Sequence, residues 1–368
     1  MTTINKYRLL LCLLFLIAGI SFQELFNFKL KITLLISLIL ISSLSLFYKY
    51  FKNIKFNKYY YIFILVFFTG SLIYSIQIYK QQKLLNFIKN KNINIIATIE
   101  NINTKKHARI KQEILIDVKK IFLPDTQEEH KINFKILLYI YTNTDLKYGQ
   151  KILFKNIYIK ETNKNASYKK YLIKEDILTT IFYNNINYKI IKESNNNFKN
   201  KIYNIKNNLY KKLKEKIDPK IFNYFSSIFW GSKKEALNPE NKNIFNIWGI
   251  SHYLARSGLH IIIFILIWQL LLAFIPIHII FKNIFLLLIV LIYVILTDPS
   301  ISLFRAVYVF AFIQLGNLLT EQTKYIHLLT LTCFFTLLIN PIQLFFIDFQ
   351  LTYGLTFTLI LISEFKRT

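Results

Sequence analysis

Residues 251–281 read SHYLARSGLHIIIFILIWQLLLAFIPIHIIF, so a polar and basic segment leads directly into a long apolar run. An α-helix needs about 20 apolar residues to cross a bilayer, and the run after His260 is long enough to supply them. Apolar runs also lie on both sides of this segment, and 54% of the chain is hydrophobic. The sequence therefore predicts a polytopic α-helical membrane protein.

The candidate transmembrane helices are apolar runs that are long or moderately long. They are Leu9 to Phe22, Ile32 to Tyr48, Tyr59 to Ile78, Leu259 to Phe281, Ile284 to Leu296, Ser300 to Leu319, Tyr325 to Ile339 and Leu344 to Ile362. We interpret the first run as an uncleaved anchor, because no clear small-x-small cleavage site follows it. The runs 284–296 and 325–339 are short, which predicts helices that are tilted, buried in the bundle or incompletely spanning.

After the third run the pattern changes from long apolar stretches to alternation. Segments 93–99, 114–118, 134–141 and 151–159 alternate apolar and polar residues and are rich in β-branched side chains. A period of two predicts strands, and we expect a small OB-like β-barrel or sheet of about five strands. The predicted domains are N-terminal transmembrane helices (1–79), this β domain (80–192), an amphipathic or linker helix (193–218) and a carboxyl-terminal transmembrane domain (219–368).

The linker helix is rich in Lys and Asn, and its apolar residues have helical spacing: Ile202, Ile205, Leu209 and Leu213. This pattern is typical of a surface helix that lies against a membrane or a protein. A solvated linker helix is the alternative.

The positions of Lys and Arg predict the orientation, because short positively charged loops stay on the cytoplasmic side. With the amino terminus inside, the cytoplasmic ends carry Lys6, Arg8, Lys49, Lys52, Lys55, Lys58, Lys282, Lys324, Lys366 and Arg367. Lys29 and Lys31, in the first outer loop, are exceptions. This topology places the β domain outside the cytoplasmic membrane and segment 251–260 at the outer end of its span.

The net charge of +27 would suit an anionic partner, either lipid headgroups or nucleic acid. Asn, Ile and Lys are abundant together, as in AT-rich coding sequences, so charges placed within spans carry more weight than the total. Cys12 and Cys333 lie inside apolar runs, where small buried side chains are expected. No disulfide and no thiolate metal site are predicted.

His252, Arg256 and His260 follow one another at intervals of four residues, so on a helix they share one face. Ser257 and Gly258 lie between them and would let a backbone or a substrate approach closely. Charged groups at a membrane boundary usually face a cavity, a partner or a substrate path. This segment is therefore the first candidate site.

Arg305 is a second charge placed inside an apolar run. Asp298 and Pro299 are typical of an N-cap and a first helical position, which puts Arg305 less than two turns into its span. Asp348, early in the last run, lies at a similar depth. Two interpretations remain open, an Arg305–Asp348 ion pair and a substrate-facing Arg305.

Several of these residues belong to motifs that resemble the ComEC family, the membrane channel proteins of natural DNA uptake. The matching segments, in the same order and spacing, are Phe229-Trp230-Gly231, 247–260, Ser302-x-x-Arg305-Ala306, Asn340-Pro341 and Phe349-Gln350-Leu351-Thr352. On this ground Ser302 and Gln350 join Asp298, Pro299 and Asp348 as structural or pairing residues. The β domain is similar to the OB-like domain of that family.

The sequence departs from the family at a few positions. Tyr253 and Arg256 stand where aliphatic residues are usual, and Asp298 and Asp348 stand where small residues are common. The chain also ends soon after the Phe-Gln-Leu-Thr block, so we expect a short form without the metallo-β-lactamase-like domain.

The resemblance implies that a single DNA strand passes inward through the helical bundle. A polyanion needs positive charge at the entry, which His252, Arg256, His260 and Arg305 would supply, and Ser257 and Gly258 complete the predicted DNA path. The implied partners are single-stranded DNA, membrane lipid, and separate cytoplasmic motor and DNA-binding proteins, because the chain contains no G-x-x-x-x-G-K-S/T loop. A separate nuclease is left open. No histidine pair has the spacing of a hydrolytic metal centre, so we expect no metal, no cofactor and no enzymatic activity.

Other classes of function remain. An ion-coupled small-molecule transporter would use the same intramembrane charges. An intramembrane hydrolase would use Ser257 and His260 as nucleophile and base. A shortened, inactive copy is the third alternative.

Overall fold

The computed structural model describes residues 8–37, 59–104, 110–122, 129–142, 144–159, 165–183, 187–192, 198–230, 239–249, 258–297, 301–318 and 324–365. These residues form two compact units. The first comprises Met1–Lys80, Ser257–Leu291 and Pro299–Thr368 and is helical; the second comprises Gln81–Arg256 and Ile292–Asp298 and contains a sheet.

The helices occur on both sides of the sheet in the sequence. They are α1 (Arg8–Phe26), α2 (Tyr59–Ile88), α3 (Ala166–Lys174), α4 (Phe198–Lys216), α5 (Pro219–Phe225), α6 (Pro239–Ile247), α7 (Gly258–Ala273), α8 (Ile279–Leu296), α9 (Ile301–Leu318), α10 (Tyr325–Ile339) and α11 (Ile347–Phe365). A π-helical turn, Ser226–Trp230, follows α5, a 3₁₀ turn, Pro341–Phe345, precedes α11, and residues 30–37 are also helical.

Within the described residues, 3 helices are long and apolar enough to cross a membrane: Arg8–Phe26, Tyr61–Ile88 and Ile279–Leu296. Shorter apolar helices occur at His260–Ala273, Tyr325–Ile339 and Ile347–Ser363. The prediction of a helical membrane protein is confirmed at this level.

Two predicted helix ends differ from the structure. The run that begins at Leu259 was expected to continue to Phe281, but α7 ends at Ala273. Pro276 explains the early end, because the residue before a proline is disfavoured in the α-helical conformation. Helix α2 instead continues past Ile78 to Ile88, since its last turns place Leu84, Leu85 and Phe87 against the core of the sheet.

In the helical unit, α1 and α2 approach so closely that their backbones touch. A Cβ on Gly19 would lie 1.9 Å from the Phe67 carbonyl oxygen, and a Cβ on Gly70 would lie 2.6 Å from the Leu16 carbonyl oxygen. The Phe15 and Phe63 rings stack beside this contact at 5.2 Å. Small residues at such crossings are the usual means of close helix packing in membranes.

The second unit contains a six-stranded mixed sheet with the order β5-β3-β2-β1-β4-β6. Its strands are β1 (Asn92–Thr104), β2 (Gln112–Phe122), β3 (Glu129–Ile140), β4 (Lys151–Tyr158), β5 (Ile177–Tyr183) and β6 (Tyr188–Lys192). Neighbouring strands are antiparallel except β3 and β5, which pair in parallel. The expected β domain is thus confirmed as a sheet, but the ladders describe an open sheet and not a closed barrel.

The core of this unit is built from one face of the sheet. The residues of β2 alternate between buried and partly exposed along most of its length, as the sequence pattern predicts. Isoleucines fill most of the core, among them Ile95, Ile116 and Ile136, with Phe154 as the largest fully buried side chain. Burying such side chains contributes about 1.5–3 kcal/mol each relative to leaving them exposed.

Candidate functional site

The candidate residues of the helical unit meet where α7 begins. The backbone N–H of Gly258 donates to the Ser302 hydroxyl of α9 at 3.0 Å. The first N–H groups of a helix have no partner within the helix, so Ser302 caps α7 from its neighbour. Gly258 itself is buried, and Ser302 is half-buried.

Arg305 lies one turn further along α9 and is half-buried. Its Nη1 donates to the Thr356 hydroxyl at 2.7 Å and also to the backbone carbonyl of Thr352. The Thr356 hydroxyl in turn donates to the same Thr352 carbonyl at 2.7 Å. The guanidinium therefore links α9 to the middle of α11.

Gly258 faces the same arginine from α7. A Cβ added to Gly258 would lie 3.5 Å from Arg305 Nη2, from Ala306 Cβ and from the Ser302 carbonyl oxygen. These are ordinary van der Waals distances, so the space would accept a methyl group and little more. Three sequence blocks far apart in the chain thus converge, at Gly258, at Ser302–Ala306 and at Thr352.

The acidic candidate of the last span is placed differently. Arg305 bonds to Thr352 and Thr356 instead of to Asp348, whose exposed carboxylate accepts a hydrogen bond from the Phe349 N–H at 3.1 Å. Gln350 is also exposed and donates through Nε2 to the Leu344 carbonyl at 2.9 Å. These two side chains therefore shape the start of α11.

The remaining sequence candidates can be located only in part. His260 is half-buried in the first turn of α7. His252, Arg256 and Ser257 lie outside the described residues, as do Asp298 and Pro299. The predicted stripe of His252, Arg256 and His260 is therefore not described as a set.

Sequence reasoning did not single out Thr356, nor the polar contacts of the N-terminal helices. Ser71 donates to Gln23 at 3.1 Å, and Gln77 donates to Asn340 at 3.0 Å. The Tyr74 hydroxyl donates to the Glu24 carboxylate. The available signal was the presence of polar residues within apolar runs, which in membranes usually marks helix contacts.

The sheet unit has a candidate surface of its own at the β5 edge. Tyr139 of β3 and Phe182 of β5 are paired in register, and their rings stack at 4.8 Å. Phe182 is 48% exposed, and Tyr171 of α3 is 41% exposed. Burial, and secondly a hydrogen bond with Tyr168, raise the pKa of Tyr139, so its phenol stays neutral at physiological pH. This edge therefore offers uncharged aromatic rings to solvent.

These features define a helical membrane protein that carries a mixed β-sheet unit and an arginine held between two helices of its helical unit. Residues 229–367 match the family model described as "Competence protein", so this region is a competence-family domain and the resemblance to the ComEC family is confirmed there. No curated protein and no solved structure matches the chain.

Proposed function

We propose that this chain is a membrane channel component that carries single-stranded DNA across the cytoplasmic membrane during natural transformation. The observation that carries the proposal is the convergence of three blocks of the competence-family domain on Arg305. A half-buried arginine inside a helical membrane unit is costly, and such residues usually mark a substrate or ion path.

The chemistry of the site suits a polyanion that must pass through without being held. Arg305 offers a permanent positive charge to phosphate groups. Its two bonds to Thr352 and Thr356 are made by Nη1, while Nη2 points toward the side-chain-free surface of Gly258. The Thr356 hydroxyl and the Thr352 carbonyl are neutral partners, so within the part of the chain that the structure describes these hydrogen bonds orient the guanidinium without neutralising its charge.

We infer further that the β unit is OB-like and lies outside the membrane, where it receives the strand. Sheet order supports this, because β1 lies between β2 and β4 while β3 pairs in parallel with β5. Five peptide steps from Tyr183 to Tyr188 span at most about 19 Å, whereas the edge strands of a flat sheet of this size would lie about 24 Å apart. This difference supports a curved sheet, as in an OB-like domain, in which the end of β5 and the start of β6 lie within about 19 Å of each other.

In this reading the chain is not an enzyme and binds no cofactor. The motor, the cytoplasmic DNA-binding proteins and any nuclease are separate polypeptides. Its amino terminus is cytoplasmic, as the positions of the lysines and arginines suggest.

The test is a complementation series in the naturally transformable host. The gene is deleted and replaced by the wild type, Arg305→Gln, Thr356→Val or Lys282→Gln, and transformation by marker DNA is counted at equal protein levels in the membrane. We expect Arg305→Gln to lose uptake and Lys282→Gln, which removes a charge from α8, to keep it.

Thr356→Val distinguishes the effect of the Arg305 charge from the effect of its hydrogen bond to α11, because the substitution removes the Thr356 hydroxyl but leaves the arginine. Near-normal uptake in Thr356→Val would support a role of the charge itself. Normal transformation in the deletion strain, or equal loss in Arg305→Gln and Thr356→Val, would contradict the proposal.

A further inference from the structure

Helix α4 (Phe198–Lys216) presents two different apolar faces. At about 100° per residue, Tyr203 and Tyr210 lie within about 20° of each other on one face. The aliphatic residues Ile202, Ile205, Leu209 and Leu213 form a second stripe, about 110° away around the helix. The two faces therefore serve different contacts.

The tyrosine face fixes the helix to its own unit. Tyr203 stacks on Tyr148 with ring centroids 3.7 Å apart and an interplanar angle of 8°. Tyr210 packs edge-on against Phe222 at 5.1 Å and against Trp230 at 5.7 Å. These contacts hold α4 without using its aliphatic stripe.

Asn200, in the first turn of α4, strengthens the same attachment. It is 8% exposed, and a Cβ on Gly149 would lie 2.5 Å from its side-chain oxygen. Gly149 also has a φ of +77°, a conformation that favours glycine. The orientation of α4 about its own axis is thus set by the loop after β3 of the sheet.

The aliphatic stripe remains partly uncovered. Ile205 is 53% exposed and Leu209 is 39% exposed. The exposed residues Lys201 and Lys212 lie on one border of the stripe. Lys216, which is also exposed, lies about one helical turn beyond Lys212. An aliphatic stripe bordered by lysines is the pattern of a helix that lies in the headgroup region of a bilayer.

We propose that α4 is a membrane-surface helix, with Ile205 and Leu209 inserted among acyl chains and Lys201, Lys212 and Lys216 bound to the phosphates of anionic lipids. Nucleic acid would also attract the lysines, but sites for single strands combine positive charge with exposed aromatic rings on which the bases stack. The tyrosines of α4 are engaged within the unit, and the uncovered side chains are aliphatic. Lipid is therefore the occupant that both the charge and the apolar surface fit.

The test uses the full chain with Cys12→Ala and Cys333→Ala and a single new cysteine that carries an environment-sensitive fluorophore. The cysteine replaces Ile205 in one protein and, as the matched control, its exposed neighbour Asn204, which lies about 100° around the helix from Ile205, outside the aliphatic stripe. Both proteins are reconstituted in vesicles of phosphatidylcholine alone or mixed with phosphatidylglycerol. Emission and quenching by spin-labelled lipid are measured.

We expect the Ile205 probe to shift to the blue and to be quenched in vesicles that contain phosphatidylglycerol, while the Asn204 probe stays in water. Replacing Lys201, Lys212 and Lys216 by Gln should lower the ratio of inserted to free helix roughly fivefold per lysine. High salt should act in the same direction on the unsubstituted protein.

Three results would overturn the proposal. The first is equal quenching at both positions, and the second is a blue-shifted Ile205 probe that spin-labelled lipid cannot reach, which would indicate a protein partner. The third is a probe that responds to added single-stranded DNA but not to lipid composition. None of these readouts depends on DNA uptake, so the proposed channel function can fail separately.

Discussion

Ser302 and Gly258 show how one hydrogen bond can fix the contact between two helices of the helical unit. The Ser302 hydroxyl supplies the partner that the first N–H of α7 lacks, at 3.0 Å. In a bilayer an unpaired N–H costs several kcal/mol, since no water replaces the missing partner. The same contact brings Gly258 to the guanidinium of Arg305.

We predict that Gly258→Val destabilises the helical unit, whereas Gly258→Ala is tolerated. The first methyl group meets its neighbours at 3.5 Å, but the additional carbons of valine would press on Arg305 and Ala306. Overpacking of this kind costs about 1–3 kcal/mol. Thermal unfolding of the detergent-purified protein measures the effect.

Gly354 provides the control for this experiment. It lies in α11, and a Cβ there would meet nothing within 4 Å. Gly354→Val should therefore leave the melting temperature near that of the wild type. Equal losses at Gly354 and Gly258 would show that backbone flexibility, and not the contact with Arg305, is the cause.

At the scale of elements, the pair α1 and α2 depends on the absence of two side chains. We predict that Gly19→Ala separates these helices, because its Cβ would lie 1.9 Å from the Phe67 carbonyl oxygen and a backbone atom cannot rotate away. The measurement is disulfide formation between Phe15→Cys and Phe63→Cys in the cysteine-free chain. Gly19→Ala should reduce the yield severalfold.

Ala18→Leu serves as the matched change on the exposed side of α1. It adds more volume than Gly19→Ala but at an exposed position about 100° around the helix from Gly19, so the disulfide yield should fall less. If both substitutions lower the yield equally, the close backbone contact is not what holds the pair.

The sequence predicted most elements, and the errors have identifiable causes. Alternation in 114–118 revealed β2 because one side of that strand is buried and the other is not. Strand β5 was not identified, since its sequence ILTTIFY does not alternate and residues 177–181 are all buried. The last turns of α2 were assigned to the β domain because the long apolar run ends at Ile78, whereas in the structure the helix continues and its apolar residues pack against the core of the sheet.

At the site, the sequence identified the charge but not its partners. Arg305 and Ser302 were recognisable from their motif and from their position within an apolar run. Asp348 was one expected partner of Arg305, on grounds of depth alone, whereas Thr352 and Thr356 accept its hydrogen bonds. Which side chains of α11 face α9 depends on the rotation of both helices, and a single sequence does not contain that information.

At the scale of the whole molecule, we predict that single-stranded DNA binds with a strong dependence on salt. Each phosphate neutralised by a lysine or arginine releases counterions, so affinity should fall steeply between low and physiological salt. Fluorescence anisotropy of a labelled oligonucleotide with the reconstituted protein measures this. Affinity that does not change with salt would argue against a DNA-binding role.

We predict that Phe182→Ala weakens DNA binding about 5- to 150-fold, because base stacking on an aromatic ring contributes about 1–3 kcal/mol. Tyr188→Ala is the control, since Tyr188 is an exposed aromatic residue at the opposite edge of the sheet order, on β6. If the two variants lose DNA affinity equally, the β5 edge has no special role in binding.

The parallel pairing of β3 with β5 has a consequence for the biogenesis of the protein. Strands β1 to β3 are neighbours in sequence and can pair as soon as they have been synthesised, but β5 follows only after β4 and α3. Pairings between distant segments close slowly, because chain entropy is lost before contacts compensate for it. Until β5, which ends at Tyr183, has paired with β3, the backbone N–H and C=O groups on the outer edge of β3 have no strand partner. A chaperone that covers this edge would raise the yield of correctly assembled protein.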